Sequence, residues 1–347
     1  MTLDPQASPP DVPPSHLSAI DEVFARYGIT RTAPPVPVAA SVLNENYHVE
    51  TSAGPRFVRF HKKSRTRERL LLEHDVIRWA AKHGIPVNEP LADTEGRTLH
   101  SVGGRLVAVF SWLEGRHRLR GTIGPEDAAT MADMLGRIHV TLSGYDRSPL
   151  PYGKVGSIWD TRASIENLSR VDDVIRYYPA PSVEQLRIQA ALRVQLALLE
   201  SNQPRPASDF ASLALQPCHG DYHNGNVILA PTGGVLAVVD WEMVSLLPPV
   251  FELLRFLTFS RLLEPGLIEA SLTAYRRHAP LVAADCALGV ETWWQALLHD
   301  TWVYTARFIQ GARNVEQFFP ESADHIRRFS DPAYRAELTA MLVRLAT

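Results

Sequence analysis

His219-Gly220-Asp221-Tyr222-His223-Asn224-Gly225-Asn226 is the stretch on which the reading of this chain turns. It is polar and runs directly into the β-branched run Val227-Ile228-Leu229. A second apolar run, Val235 to Val239, follows Pro231-Thr232-Gly233-Gly234, so the segment predicts a loop feeding a hairpin. At the end of the second strand, fourteen residues after Asn226, stands Asp240, followed by Trp241 and Glu242. A carboxylate at the end of a buried strand is costly unless a cation or hydrogen-bond donors meet it.

The spacing from Asp221 to Asn226 equals that of the catalytic loop of protein kinases, and Asp240 falls where a metal-binding aspartate follows a hairpin. Phosphoryl transfer needs one carboxylate to accept or orient a substrate hydroxyl, and separate oxygen ligands to fix Mg²⁺ against the β- and γ-phosphates of ATP. Asp221 suits the first role, and Asn226 with Asp240 the second. The loop, hairpin and aspartate together resemble the phosphotransferase enzyme family that includes aminoglycoside phosphotransferases, homoserine kinases of that type and choline kinases. The resemblance is carried by motifs from about Ala40 to Phe259 and by architecture beyond. It implies an α+β, protein-kinase-like fold of two lobes and an ATP-dependent kinase acting on a small-molecule hydroxyl.

The order of elements upstream agrees. Five prolines between Pro5 and Pro14 predict a flexible tail over 1–15, and Leu17, Ile20, Val23, Phe24 and Tyr27 predict a short helix closed by Gly28. Strands are expected from Pro37 to His61, a helix from Thr66 to His83, and strands at Thr98 to Val102 and Leu106 to Phe110. Past Trp112 the pattern is mostly helical, with candidates at Pro125 to His139, Val183 to Glu200, Phe251 to Leu262 and Glu291 to Ile309. The expected division is a nucleotide-binding N-lobe, 16–112, and a C-lobe, 113–347, with the catalytic loop and acceptor site.

Glu73 shares a helical stripe with Leu70 and Ile77, and a buried carboxylate wants a cation. Arg59, flanked by Val58 and Phe60, is the candidate on the preceding strand. In protein kinases a strand lysine pairs with a helix glutamate and with the α- and β-phosphates, so arginine departs from that pattern. An ordinary ion pair is the other reading. Lys62 has the opposite strand parity and Lys63 lies past the strand end. Ser41-Val42-Leu43-Asn44-Glu45-Asn46 has no glycine to cover a nucleotide, although Glu45-Asn46-Tyr47 is similar to a segment common in the resembling family. That family's hinge implies adenine contacts from Phe110, Ser111 and Leu113, with Gly115 letting the chain turn. Glu252 stands either as a brace for the catalytic loop or as a solvated helix charge, and His139 reads as a packing residue. Trp293, Trp294, Trp302, Tyr304 and Phe308 read mainly as core.

With 45% hydrophobic and 21% charged residues in 347, the chain can build sizeable cores, and 35 basic against 38 acidic side chains give no global attraction to polyanions. No nucleic-acid or membrane partner is expected. Cys218 and Cys286, far apart, suit a reducing, cytoplasmic setting. Two alternatives stay open: a metal-dependent hydrolase using His219, Asp221 and His223, and a catalytically silent binding module of the same fold. The acceptor could be homoserine, another amino alcohol, a sugar or an aminoglycoside, the last requiring acids such as Asp160, Glu166, Asp172 and Asp173. Oligomeric state is not legible.

Overall fold

A computed structural model of the chain describes residues 12–38, 44–153, 159–202, 207–312 and 315–346. The chain divides into two compact units, one of Met1–Arg118 with Asn226–Met243, the other of Leu119–Gly225 with Val244–Thr347. The division differs from a single cut after residue 112, because the hairpin groups with the first unit. Main-chain bonds hold it there: Val238 N–H donates to the Pro86 carbonyl at 2.8 Å, and Arg116 and Leu229 exchange a pair at 3.0 and 2.9 Å.

The first unit opens with α1 (Pro14–Arg26), whose proline sits where a missing N–H costs nothing. Residues 1–11 of the expected tail lie outside the described residues, and Pro14 and Ser15 already belong to this helix. Next come β1 (Val36–Pro37), β2 (Glu45–Val49), β3 (Arg56–Phe60), α2 (Arg67–Lys82), β4 (His100–Val102) and β5 (Arg105–Ser111). The strands form one antiparallel sheet in the order β1-β2-β3-β5-β4. Alternation sorts its side chains. Val58, Phe60, Val107 and Val109 bury against Ile20, Val23 and Phe24 of α1, while Ala108 and Phe110 pack with Leu70 of α2 and Leu99. Arg59 pairs in register with Asn46 and Ala108, so it belongs to the α2 face. Thr66 caps α2 by accepting the Arg69 N–H.

The second unit begins with α3 (Pro125–Ser143), α4 (Thr161–Arg176), α5 (Val183–Ser201) and β6 (Gln216–Cys218). The chain then enters the first unit for the hairpin β7 (Val227–Leu229) and β8 (Val235–Val238). On its return β9 (Ser245–Leu247) pairs antiparallel with β6. Helices α6 (Pro249–Phe259), α7 (Pro265–Tyr275), α8 (Ala283–His299), α9 (Trp302–Tyr304), α10 (Phe319–Ser330) and α11 (Pro332–Ala346) follow. The single helix expected over Glu291 to Ile309 is broken. Helix α8 starts at Ala283 and stops where Asp300 turns extended, and a π-helical turn, Thr305–Ile309, follows α9. Helices α3 and α7 touch at Gly136, where an added Cβ would stand 2.6 Å from the Tyr275 carbonyl oxygen. Among the described residues no helix is long and apolar enough to cross a membrane.

Candidate active site

The loop after β6 belongs to the second unit as far as Gly225. Glu252 of α6, fully buried, grips its backbone: the carboxylate accepts the His219 N–H at 3.0 Å and the Gly220 N–H. It also meets His139 Nε2 at 2.9 Å, and His139 Nδ1 lies 2.7 Å from the Tyr275 hydroxyl. Burial alone would raise Glu252, but His139, His219 and the Gly220 N–H outweigh it and hold the carboxyl below its usual range. The brace reading of Glu252 and the packing reading of His139 therefore describe one network. Tyr222 adds a second anchor, its hydroxyl donating to the Met131 carbonyl of α3 at 2.8 Å.

So held, Asp221 keeps its side chain about one-fifth exposed. Arg255, one turn beyond Glu252 on α6, donates to Asp221 Oδ1 from both Nε, at 3.1 Å, and Nη2. Burial would raise Asp221, yet Arg255 and His223 keep it ionised below the usual carboxylate range. Sequence reasoning missed Arg255. Its signal was the three-residue step from Glu252, which places two side chains on one helical face. His219 Nδ1 and His223 Nδ1 accept the Asp221 and Gly225 N–H groups at 3.2 and 3.0 Å, so each imidazole spends a nitrogen holding the turn. His139, Cys218 and Glu252 are also grouped closely enough to ligate, but the Glu252 oxygens are spent on the network above.

Asn226 and Asp240 belong to the first unit. Val239 N–H donates to the Asn226 carbonyl at 2.9 Å, one register step beyond the Val227 to Val238 pair, so Asn226 and Asp240 sit together at the hairpin base. Asp240 has φ 64, a left-handed conformation uncommon outside glycine. Its Oδ1 accepts from Arg59 Nη1 at 3.1 Å. An amide and a carboxylate are the hard oxygen donors that Mg²⁺ or Ca²⁺ takes, so the donor set fits such an ion.

Arg59 is buried and its hydrogen bond goes to Asp240, whereas its link to Glu73 is through charge. Glu73, also buried, is pushed up to about 7 by burial, with Arg59 opposing. Glu242 is fixed by Arg65 at 2.8 Å and by the Asn44 amide at 3.2 Å, and Asn44 also accepts the Lys62 N–H. Lys63 is exposed. Glu45, Asn46 and Tyr47 lie within β2, not in a covering loop, while Ser41, Val42 and Leu43 fall outside the described residues. At the hinge Phe110 is buried and the Ser111 carbonyl accepts from Asn88 at 2.9 Å; Leu113 is half-buried just past β5. Gly115 serves close approach, since a Cβ there would overlap Ile228 and stand 2.9 Å from the Leu229 carbonyl.

The acids expected to welcome a polycation are engaged. Asp160 caps α4 through the Ala163 N–H, Glu166 pairs with Arg162, Asp172 is clasped by Arg176 and Arg193, and Asp173 faces Arg176. Of the aromatic group, Trp293 packs on Phe251 and Phe259, and Tyr304 and Phe308 on Phe319, as core. A cavity of about 410 Å³ beside α1, lined by Phe24, Ile29, Arg31 and Pro34 among others, contains none of the candidate residues.

Among curated proteins the chain is similar to a homoserine kinase of Polaromonas naphthalenivorans (strain CJ2), 33% identical over 109 residues, covering 31% of this chain and 34% of that one. It is also 26% identical over 207 residues to a homoserine kinase of Caulobacter sp. (strain K31), covering 59% and 58% respectively. The chain thus spans less than two thirds of the length of either relative. Among solved structures, a spectinomycin phosphotransferase in complex with ADP and spectinomycin matches 93% of this chain and 97% of its own at TM-score 0.63 and 16% identity. An aminopropanol kinase matches 95% and 99% at TM-score 0.60 and 15% identity. These likenesses establish the protein-kinase-like fold. A model of the phosphotransferase enzyme family matches residues 36–285, and the chain belongs to that family.

Proposed function

We propose that this protein transfers the γ-phosphoryl group of ATP to a hydroxyl of a small molecule. The observation that carries the reading is the hairpin base, where the Val239 N–H bond to the Asn226 carbonyl sets Asn226 beside the strand end that carries Asp240. There they would hold Mg²⁺, which when bound neutralises charge on the transferring phosphates. Asp221, ionised and fixed on a loop clamped by Glu252, orients the acceptor hydroxyl and receives its proton. In the first unit Arg59, sustained by Glu73, answers the phosphates, and Phe110, Ser111 and Leu113 border the adenine. The second unit supplies Asp221 and the acceptor contacts. Relatives solved with ADP, or with AMP-PNP and Ca²⁺, support nucleotide and divalent-ion use. Homoserine, an amino alcohol and an aminoglycoside are the acceptor classes that the relatives' names support, and a sugar is a further hydroxyl acceptor of the same kind. The balance of charge and the two buried thiols favour a cytoplasmic setting without nucleic-acid or membrane partners.

The test is a thermal-shift titration with ATP and Mg²⁺ together with a hydroxyl-compound panel followed by ADP release. Stabilisation that requires both nucleotide and metal, with ADP released on adding an acceptor, is the expected result. Tightly held zinc with ester or amide hydrolysis, and no ADP, would replace it with the hydrolase reading.

A further inference from the structure

The Arg255 to Asp221 contact is an unusual use of a guanidinium. Nε and Nη2 both point at the single oxygen Oδ1, whereas an arginine fork reaches its full strength on a carboxylate with one donor on each oxygen. The fork is therefore under-used, on a side chain about one-quarter exposed whose guanidinium lies over the half-buried Phe259 ring at 4.6 Å. Two more cations, Arg120 and Arg261, share one buried carboxylate, Glu321. Arg120 and Arg255 both act on the charge of His223, two residues from Asp221. His223 and His325, each edge-on to Phe259, are driven by burial to about 4 and stay uncharged at neutral pH. Around Asp221 the second unit thus gathers Arg255, Arg120 and Arg261 with the acids Glu252 and Glu321, both of which are already committed to buried partners. An oxyanion would meet there a fork already shaped around a carboxylate.

We propose that the acceptor is a hydroxy acid whose carboxylate is bound by Arg255, and that this binding frees Asp221 Oδ1 to receive the proton of the acceptor hydroxyl. The inference rests on the kinase reading above and names its substrate class. In the step itself the acceptor oxygen forms a bond to the γ-phosphorus and the bond from phosphorus to the β,γ-bridging oxygen breaks. The electron pair of that bond leaves with ADP, and the hydroxyl proton passes to Asp221. While Arg255 occupies Oδ1 an incoming hydroxyl is left with Oδ2, which lies 3.8 Å from His223 Nε2, so acceptors lacking a carboxylate meet a base still held by its partner.

The test uses matched pairs: hydroxy acids of two to six carbons, including L-homoserine and 4-hydroxybutyrate, and their neutral amides. ADP release gives kcat and KM separately for wild type, Arg255→Gln and Arg255→Lys, and calorimetry with a non-hydrolysable ATP analogue and Mg²⁺ gives binding without turnover. Wild type should prefer an acid over its amide by about 10- to 100-fold in kcat/KM, the worth of one charge-assisted hydrogen-bonded contact. Arg255→Gln should erase that preference through a raised KM for the acid, and Arg255→Lys should restore part of it. If nucleotide-loaded wild type ignores every acid, uses amides or amino alcohols as well as acids, or loses acid and amide equally in Arg255→Gln, the inference is overturned while the kinase reading stands. If ATP with Mg²⁺ does not bind at all, the kinase reading falls and takes the inference with it.

Discussion

Replacing Glu252 by alanine should be among the most damaging single changes in the second unit. The carboxylate serves three donors, the His219 and Gly220 N–H groups and His139 Nε2, at a site with no solvent access. Each buried group left unpaired costs about 1–3 kcal/mol, and breaking a buried charged pair from one side costs about 3–5 kcal/mol. Partial relaxation keeps these from adding in full, so a loss of about 3–5 kcal/mol is expected for Glu252→Ala. Glu252→Gln keeps the shape but must turn an NH₂ toward a donor, for a loss of about 1.5–3 kcal/mol. Because the folded carboxyl lies below its ordinary value of 4.5, its contribution is present above that pH and is lost as pH falls through the folded value. The gap between wild type and Glu252→Gln should accordingly close below pH 4.5. Denaturant unfolding measures all three quantities, and ADP release should show kcat falling with little change in the KM for ATP. A Glu252→Ala protein within about 1 kcal/mol of wild type at pH 7 would refute the idea that this side chain holds the loop.

Three further outcomes follow from the same geometry. Glu73, raised from 4.5 to about 7, contributes stability that is full below pH 4.5 and lost as pH rises through 7. In metal-free buffer Glu73→Gln should therefore gain on wild type by up to about 3 kcal/mol across that window, and parallel pH–stability curves would contradict this. Arg59→Ala leaves Asp240, Glu73 and Glu242 without their shared cation and should lose about 3–5 kcal/mol, with Arg59→Lys recovering much of it; equal losses in urea unfolding would show that charge is not the cause. Gly136→Ala forces α3 off the Tyr275 carbonyl and should lower stability by about 1–3 kcal/mol in thermal unfolding, whereas an unchanged midpoint would mean that the helices separate freely.

How far the sequence was legible depended on how local each signal was. The hairpin after Asn226, the α2 stripe with Glu73 inward and the alternation around Arg59 are short-range patterns, and the structure keeps them. Helices α4, α7, α10 and α11 were not foreseen, although Pro265 and Pro332 mark the first turns of two of them, a start signal as readable as the one used at Pro125. The pair β6 and β9 has three residues per strand and joins segments across the whole hairpin, so no alternation could show it. At the site, the partner of Arg59 was expected on α2, but its hydrogen bond goes to Asp240, 181 positions away, a pairing that only tertiary structure sets. Arg255 was harder to read for the same reason: its three-residue step from Glu252 marks a shared helical face, but its meaning comes from Asp221, 34 positions away.

The central claim is tested most directly by Asp221→Asn, assayed for ADP release with a productive acceptor and for stabilisation by ATP with Mg²⁺. Turnover should fall by about 10²- to 10⁴-fold, the usual contribution of a positioned acid or base, while the stabilisation by nucleotide persists. Turnover at the wild-type rate in that variant would contradict the account.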